Sequence, residues 1–317
     1  MDEKVIAIVG PTAVGKSRMG VFLARTLGGE IVNGDASQIY RGMAIGTAKI
    51  TSEEAEGVPH HLLDLREPDQ AYTAADYQKD ARQVIGQLID EKKIPILIGG
   101  TGFYLKAALY DYQFSAIEAN PQFRKQLEKW VRDQGHAILY ERLKQVDPVA
   151  AERIHPHNQV RIIRALEVCH ETGRPFSEQQ RRVPERPLYN AIVIGLTMDR
   201  SLLYQRIDRR VDQMMSRGLL EEVRGLYDRG LAGSQALQAI GYKEFFPYFE
   251  GREPLEEAVS QLKKNSRHYA KRQFTWFRGQ MAVHWVDMGS GEEDFASKAE
   301  AVLRYVREHL AESAENK

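Results

Sequence analysis

Cysteine is nearly absent from these 317 residues, with Cys169 standing alone. A single thiol cannot close a disulfide within the chain or build a thiolate zinc cluster, so neither staple holds the fold. That usage suits a reducing cytosol, and a cytoplasmic location is expected. Long apolar runs are missing as well. Val5-Ile6-Ala7-Ile8-Val9 falls far short of the roughly 20 residues that span a bilayer, so no membrane partner is expected. No leader architecture precedes it, since Met1-Asp2-Glu3-Lys4 passes directly into that run. Net charge is also absent, 44 Lys and Arg balancing 44 Asp and Glu. Bulk charge therefore gives no argument for nucleic acid, and only its distribution can. What remains is ample apolar content, 43%, in a chain longer than one average domain, which points to a core plus a second module.

The most informative stretch is Gly10-Pro11-Thr12-Ala13-Val14-Gly15-Lys16-Ser17, which has the spacing G-x-x-x-x-G-K-[ST]. It lies between the apolar run and a helix-like stretch over 17–26. A buried strand feeding a Gly-rich turn that opens a helix aims several backbone N–H groups into one small space. The positive end of the helix dipole adds to their field. Lys16 can reach outer phosphates, and the Ser17 hydroxyl is placed to ligate a divalent metal. The chain holds a polyphosphate.

Further along, 30–33 reads as a second strand running into Gly34-Asp35-Ala36-Ser37-Gln38. Asp35 is then a carboxylate just past the end of a strand expected beside the P-loop strand, the edge at which open α/β sheets bind ligands. His60-His61 has no third metal ligand at a sensible spacing, which favours hydrogen-bonding roles. Thr73 caps a helix, and 94–98 is a buried strand that exits into Gly99-Gly100-Thr101-Gly102. Glycines there are expected to let a ligand approach closely, with Thr101 offering its hydroxyl.

From about residue 120 the pattern becomes purely helical, over 121–134, 137–145 and 158–172, with breaks that include Asp147-Pro148 and Gly173-Arg174-Pro175. A strand returns over 191–196, and Asp199 caps a charged helix carrying Arg206, Arg209, Arg210, Met214 and Arg217. The fold class expected is α/β: a P-loop NTPase-like core with a mostly parallel sheet flanked by helices, plus an all-helical insertion. Its parts are a discontinuous core, 1–115 and 188–290, an insertion over 116–187, and a C-terminal helix with a frayed tail over 291–317.

Residues 258–286 contain no Asp or Glu, yet they carry Lys263, Lys264, Arg267, His268, Lys271, Arg272 and Arg278 among Tyr269, Phe274, Trp276 and Phe277. On a helix, Lys264, Arg267, His268, Lys271 and Arg278 fall near one face. Such a cationic, aromatic stripe fits a nucleic-acid backbone and its unstacked bases. The usual machinery of triphosphate hydrolysis is missing, because no apolar strand runs directly into a metal-binding Asp, and no Asn-Lys-x-Asp guanine signature occurs. A small-molecule or nucleotide kinase, or a non-catalytic RNA-binding P-loop ATPase, would share the cradle.

Residues 10–17, Asp35-Ala36-Ser37-Gln38-Ile39-Tyr40, Gly46-Thr47-Ala48-Lys49, His60-His61-Leu62-Leu63-Asp64, Gly99-Gly100-Thr101-Gly102, Arg161-Ile162-Ile163-Arg164, Ile240-Gly241-Tyr242 and Lys271-Arg272-Gln273-Phe274-Thr275-Trp276 together resemble the tRNA dimethylallyltransferase (isopentenyltransferase) family. The matches run in order up to about residue 279. One departure is His155-Pro156-His157-Asn158-Gln159-Val160-Arg161, where the family reads His-Pro-Asn-Asp-x-Gln-Arg, although the Arg still aligns.

The resemblance implies transfer of a dimethylallyl group from its diphosphate to the exocyclic amine of the adenosine 3′ of the tRNA anticodon. It implies Mg2+ as cofactor, held through Ser17, and dimethylallyl diphosphate and the anticodon stem-loop as partners. The P-loop would then hold a leaving group, and Asp35 would act as general base with Thr101 and Arg210 beside it. Asp35, Ala36, Ser37, Gln38, Thr101, Gln159, Val160, Arg161, Ile162, Ile163, Gly241, Lys243, Lys271, Arg272, Gln273, Trp276 and Arg278 are the expected tRNA contacts. Nothing in the sequence demands an oligomer, and a monomer is expected.

Neutralising Lys271 and Arg272 together is expected to weaken tRNA binding. The dependence of log affinity on log salt should also flatten, by about one for each phosphate that is no longer neutralised. Filter binding at several salt concentrations measures this. An unchanged slope would place the cationic face of the RNA site elsewhere.

Overall fold

A computed structural model of the chain describes residues 3–114, 120–179, 186–289 and 293–315. In chain order its elements begin β1 (Lys4–Val9), α1 (Lys16–Leu27), β2 (Gly29–Asn33), α2 (Ser52–Ala55), β3 (His60–His61), α3 (Ala74–Asp90), β4 (Ile94–Ile98) and α4 (Gly102–Leu109). Helices follow: α5 (Pro121–Gln134), α6 (Ala137–Val146), α7 (Pro148–Arg153), α8 (Gln159–Thr172) and α9 (Phe176–Gln179). Then come β5 (Asn190–Thr197), α10 (Arg200–Ser216), α11 (Leu219–Asp228), α12 (Phe246–Phe249), α13 (Leu255–Gln280), β6 (His284–Asp287) and α14 (Glu293–Glu315). Two compact units result, Met1–Tyr110 with Pro187–Lys317, and Asp111–Arg186. The divisions read from sequence at 115/116 and 290/291 lie outside the described residues, as does the tail from 316. Among the described residues no helix is long and apolar enough to cross a membrane.

The first unit is an α/β layer structure around a six-stranded sheet of order β3-β2-β4-β1-β5-β6, each pairing parallel. Parallel pairing follows from the helical crossovers between strands. Alternation along β1 feeds two cores. Val5, Ala7 and Val9 face the one built with α3, α4, α11 and much of α13, whereas Ile6 and Ile8 face the one built with α1 and α14. All five are fully buried, each large side chain contributing about 1.5–3 kcal/mol of transfer free energy. Helix boundaries obey local chemistry. Thr73 and Asp76 form a reciprocal capping box on α3, the Asp199 carboxylate caps α10, and Gly28 ends α1 in the left-handed region.

One adjacency differs from expectation. The strand leading to Asp35 does not lie beside the P-loop strand, because β4 sits between them, pairing Ile96 with Ile31 on one side and Ile6 on the other. The reason is burial. Ile94-Pro95-Ile96-Leu97-Ile98 is apolar throughout and suits a centre covered on both faces. Strand β2 carries Glu30, which needs partners and finds them in His61 (2.6 Å) on the edge strand β3 and in Lys93 (2.7 Å) just ahead of β4. His60 hydrogen-bonds the Val58 carbonyl (2.8 Å), so both histidines are spent on hydrogen bonds.

The strands β3 and β6 have no counterpart in the sequence reading, being only two and four residues long. Residues 231–249 likewise resolve into one-turn 3-10 segments and the short α12.

Among the described residues, every regular element of the second unit is a helix. Its core holds Phe123, Leu127, Leu139, Leu143, Ile154, Ile162 and Leu166. Asp147-Pro148, read as a break, is also a beginning. Asp147 caps α7 and Pro148 occupies its first turn, where a missing N–H costs nothing. Glu167 is fully buried and is held by Arg124 (2.8 Å), Arg164 (2.8 Å) and the Asn120 N–H (2.8 Å).

Candidate active site

The carboxyl ends of β1, β2 and β4 open onto one cleft of about 1110 Å3, lined entirely by residues of the first unit. The turn between β1 and α1 supplies its floor. Gly10 has φ +136, and a Cβ there would run into the Leu196 carbonyl of β5, so only glycine lets the chain leave the strand in this direction. Gly15 caps α1 in the left-handed region with no side-chain cap, and no acid stands in the first turn. The first N–H groups of α1 therefore stay open to an anion. Residues 12–17 line the cleft, with the Ser17 side chain exposed to it. The Lys16 ammonium donates to the Pro11 carbonyl (2.7 Å), folded back over its own loop.

Across the floor stands Asp35, fixed by a short network. Its N–H donates to Asn33 Oδ1 (3.0 Å), while Asn33 Nδ2 donates to the Asp35 carbonyl (3.1 Å) and to that of Leu62 (3.0 Å). The Ser37 N–H donates to Asp35 Oδ1 (2.9 Å), and the Ala36 N–H to Thr101 Oγ1 (3.0 Å). Asp35 is half-buried by area, because solvent enters the cleft, but protein surrounds it elsewhere. Burial raises its carboxyl above the ordinary range, against the Ser37 hydrogen bond and the charges of Lys16 and Arg210. The same burial lowers Lys16 to about 7, with Asp35 opposing and Arg210 adding to the effect.

Gln273 joins the parts. Its Oε1 accepts the Thr12 N–H (2.9 Å) and its Nε2 donates to the Gly100 carbonyl (3.0 Å), tying the P-loop to the turn after β4. Gln273, expected to touch RNA, lines the cleft but is largely buried, and both ends of its amide are used within the protein. The glycines after β4 are also required by the protein's own packing, and Gly99 and Gly100 line the cleft as well. A Cβ at Gly99 would strike the Gly34 backbone, one at Gly100 the Gln273 amide, and one at Gly102 the Trp276 ring. Thr101 stands just behind the lining, its oxygen committed to Ala36, with the Tyr269 hydroxyl beside it and Gln273.

Helix α10 forms another wall. Arg206, Arg210, Gln213 and Arg217 recur at helical spacing and all line the cleft, with Arg210 Nη1 3.4 Å from Thr12 Oγ1. Asp208 and Asp212 point elsewhere and pair with Arg267 (2.5 Å) and Lys263 (2.6 Å) of α13. Two cations of the acid-free stretch 258–286 thus find their acids on α10, and Arg267 is not a free phosphate contact. Lys264, His268, Lys271, Arg272 and Arg278 remain exposed, Arg278 lying over the Phe274 ring at 4.2 Å.

Cations outnumber acids along the lining: Lys16, Arg18, Lys49, Arg206, Arg209, Arg210, Arg217 and Arg272 against Asp35, Glu54 and Glu56. Of the remaining expected contacts, Ser37 and Gln38 line the cleft. Gly241 is buried, Lys243 is exposed, and Trp276 is half-buried. Gln159, Val160, Arg161, Ile162 and Ile163 belong to the second unit, where Val160 is 82% exposed and Ile162 is buried in the core. Tyr269, Arg206 and Arg217 are not among the residues expected at the site. The spacing 206–210–213–217 carries the signal for the arginines, whereas Tyr269 is marked only as one aromatic of the cationic stripe.

These features define a class, a P-loop α/β enzyme whose anion-ready loop and a fixed carboxylate share one cation-rich cleft. The chain belongs to the IPP transferase family, whose model matches residues 38–280. A tRNA dimethylallyltransferase of Geobacillus kaustophilus is 54% identical over 306 residues, covering 96% of this chain and 97% of the relative. One from Bacillus anthracis is 49% identical over 314 residues, 99% of this chain and 98% of its own length.

Among solved structures, the full-length tRNA isopentenylpyrophosphate transferase of Bacillus halodurans is 45% identical, with a TM-score of 0.76 over 99% of this chain and 98% of that one. A eukaryotic dimethylallyltransferase acting on tRNA is 30% identical, with a TM-score of 0.76 over 90% of this chain and 73% of its own.

With Lys16 lowered to about 7, binding of inorganic diphosphate is expected to draw a proton onto its amine at and above that pH. Affinity should accordingly fall as pH rises past this value, the cation being already present below it. Calorimetry in two buffers of unlike ionisation enthalpy reads the uptake, and Lys16→Gln should remove this component. An uptake unchanged in Lys16→Gln would assign the proton to another group.

Proposed function

We propose that this protein transfers a dimethylallyl group from dimethylallyl diphosphate to the exocyclic amine of the adenosine 3′ of the anticodon in tRNA, releasing diphosphate. The observation that carries the reading is the uncapped P-loop facing the immobilised Asp35 carboxylate across one cleft. The relatives' names support the substrate pair. The protein acts as a monomer on tRNA in the cytoplasm.

The diphosphate of the donor rests on the amides at the start of α1, with Lys16 and Arg210 on its oxygens. As the carbon–oxygen bond breaks, its electron pair leaves with the diphosphate, and these fixed cations and dipoles stabilise the charge where it develops. The amine nitrogen forms the new bond to carbon, and its proton passes to Asp35. An aromatic amine is a weak nucleophile, so a base with a raised pKa is suited to accept that proton.

Adenine reaches the carboxylate only after leaving its stack. The lip formed by Asp35, Ala36, Ser37 and Gln38, with Thr101 behind it, receives the base. Gln159, Val160, Arg161 and Ile163 of the helical insertion, with Gly241, Lys243, Lys271, Arg272, Trp276 and Arg278, hold the surrounding RNA.

Ser17 fits a role in holding Mg2+, since its hydroxyl is exposed at the first turn of α1. Among the described residues no cluster of three or more His, Cys, Asp or Glu is placed to bind a metal, so the ion's other ligands would be phosphate oxygens and water. Bound there, Mg2+ supplies further neutralisation of the leaving diphosphate.

Incubation with unmodified tRNA, Mg2+ and dimethylallyl diphosphate is expected to add one dimethylallyl group to adenosine, read by mass spectrometry of digested RNA. Asp35→Ala should lower the rate by about 100- to 10,000-fold while tRNA binding persists. In the wild type the rate should fall as pH drops through the raised carboxyl pKa, because a protonated Asp35 cannot accept the amine's proton. Wild-type turnover in Asp35→Ala would remove the general-base role, and phosphorylated rather than prenylated product would remove the whole reading.

A further inference from the structure

The charge on Glu222 is balanced by hydrogen-bond donors drawn largely from one short segment. On α11, its Oε2 accepts the N–H groups of Ala44 (2.9 Å) and Ile45 (2.8 Å), and its Oε1 accepts that of Gly46 (2.9 Å) together with the Tyr242 hydroxyl (2.7 Å). Three successive amides wrapped round one carboxylate turn the segment's other side outward, and residues 44–49 line the cleft. Packing reinforces the clamp. A Cβ at Gly46 would collide with the Tyr242 ring, and Gly241, at φ +105, lies against the Gly46 carbonyl.

The clamped segment is connected to the acceptor side of the site. Gln38 Nε2 donates to the carbonyls of Thr47 (3.1 Å) and Ala48 (3.4 Å), and Gln38 follows Asp35 by three residues. The P-loop is held by different means, through Thr12 and Gln273.

We propose that Glu222 is a positioning residue for the acceptor nucleoside. It fixes the 44–49 wall, and through that wall the Gln38 side chain, so that the segment bearing Asp35 presents one geometry to an incoming purine. Hydrogen bonds to a charged acceptor are among the stronger ones in proteins, and leaving several amides of one loop without it frees the loop. The inference rests on the prenyl-transfer reading for the identity of the acceptor, but the clamp itself is independent of it.

Glu222→Gln places an amide group where a second acceptor oxygen stood, facing N–H donors that it cannot satisfy. It is expected to raise KM for tRNA about tenfold, equivalent to about 1.4 kcal/mol, while KM for dimethylallyl diphosphate stays within about twofold. Tyr242→Phe, which removes a single donor and keeps the ring over Gly46, should shift the same constant in the same direction by less. It carries the test if Glu222→Gln does not fold.

Hydrogen exchange of the free protein should show faster exchange at the amides of residues 44–46 in Glu222→Gln, a readout that needs no turnover. Unaltered exchange there would overturn the clamp. An unchanged KM for tRNA, or an equal rise in both KM values, would overturn the positioning role. Absence of transfer by the wild type would instead count against the prenyl-transfer reading and leave the exchange result to judge the clamp.

Discussion

The site depends on how closely two turns approach at the carboxyl edge of the sheet. The turn after β4 lies against Gly34, near enough that any side chain at Gly99 would strike the backbone there. The Gln273 amide then bridges that turn to the P-loop. Because β4 sits between β1 and β2, this packing sets the separation of the anion cradle from Asp35. A catalytic constellation misplaced by about 1 Å loses much of its rate. Here the spacing rests on backbone packing and one buried amide, neither of which reorients easily.

Electrostatics follows from that geometry. Burial works on opposite charges in opposite directions, raising the Asp35 carboxyl and lowering the Lys16 amine to about 7. Each group is thereby brought closer to the proton exchange it would undergo, Asp35 taking one from the nucleophile and Lys16 gaining one with the anion. Helix α10 divides its charges by face, with arginines toward the cleft and Asp208 and Asp212 toward α13. That division keeps the cleft cationic in a chain with no net charge, and it anchors the long helix that carries Gln273 and Tyr269.

Whatever is local is legible in the sequence. The P-loop spacing, Asp35 past a strand end, the Thr73 cap and the Asp199 cap are each set by a few neighbouring residues, and the structure has each of them. What depends on distant partners is not legible. Nothing within Glu30-Ile31-Val32-Asn33 says which strand it pairs with, so the intervening β4 could not be foreseen. Glycines at 99, 100 and 102 announce a close approach without saying that Gly34, Gln273 and Trp276 are among the groups that make it. The bond between Gln273 and Thr12 joins residues 261 apart in sequence. The acid-free stretch 258–286 looks wholly uncompensated because the acids that pair with Lys263 and Arg267 lie on another helix. The two-residue β3 and four-residue β6 are too short to show a period.

On the proposed reading, one cleft would hold a diphosphate as leaving group, with its reacting carbon toward the side where Asp35 receives a proton. A crystal structure with diphosphate and an adenosine-containing anticodon stem-loop bound tests this most directly. Phosphate oxygens should lie on the amides at the start of α1, with Lys16 released from the Pro11 carbonyl and the adenine amine within hydrogen-bonding distance of Asp35. Diphosphate seated away from Lys16, or an adenine amine that Asp35 cannot reach, would contradict it.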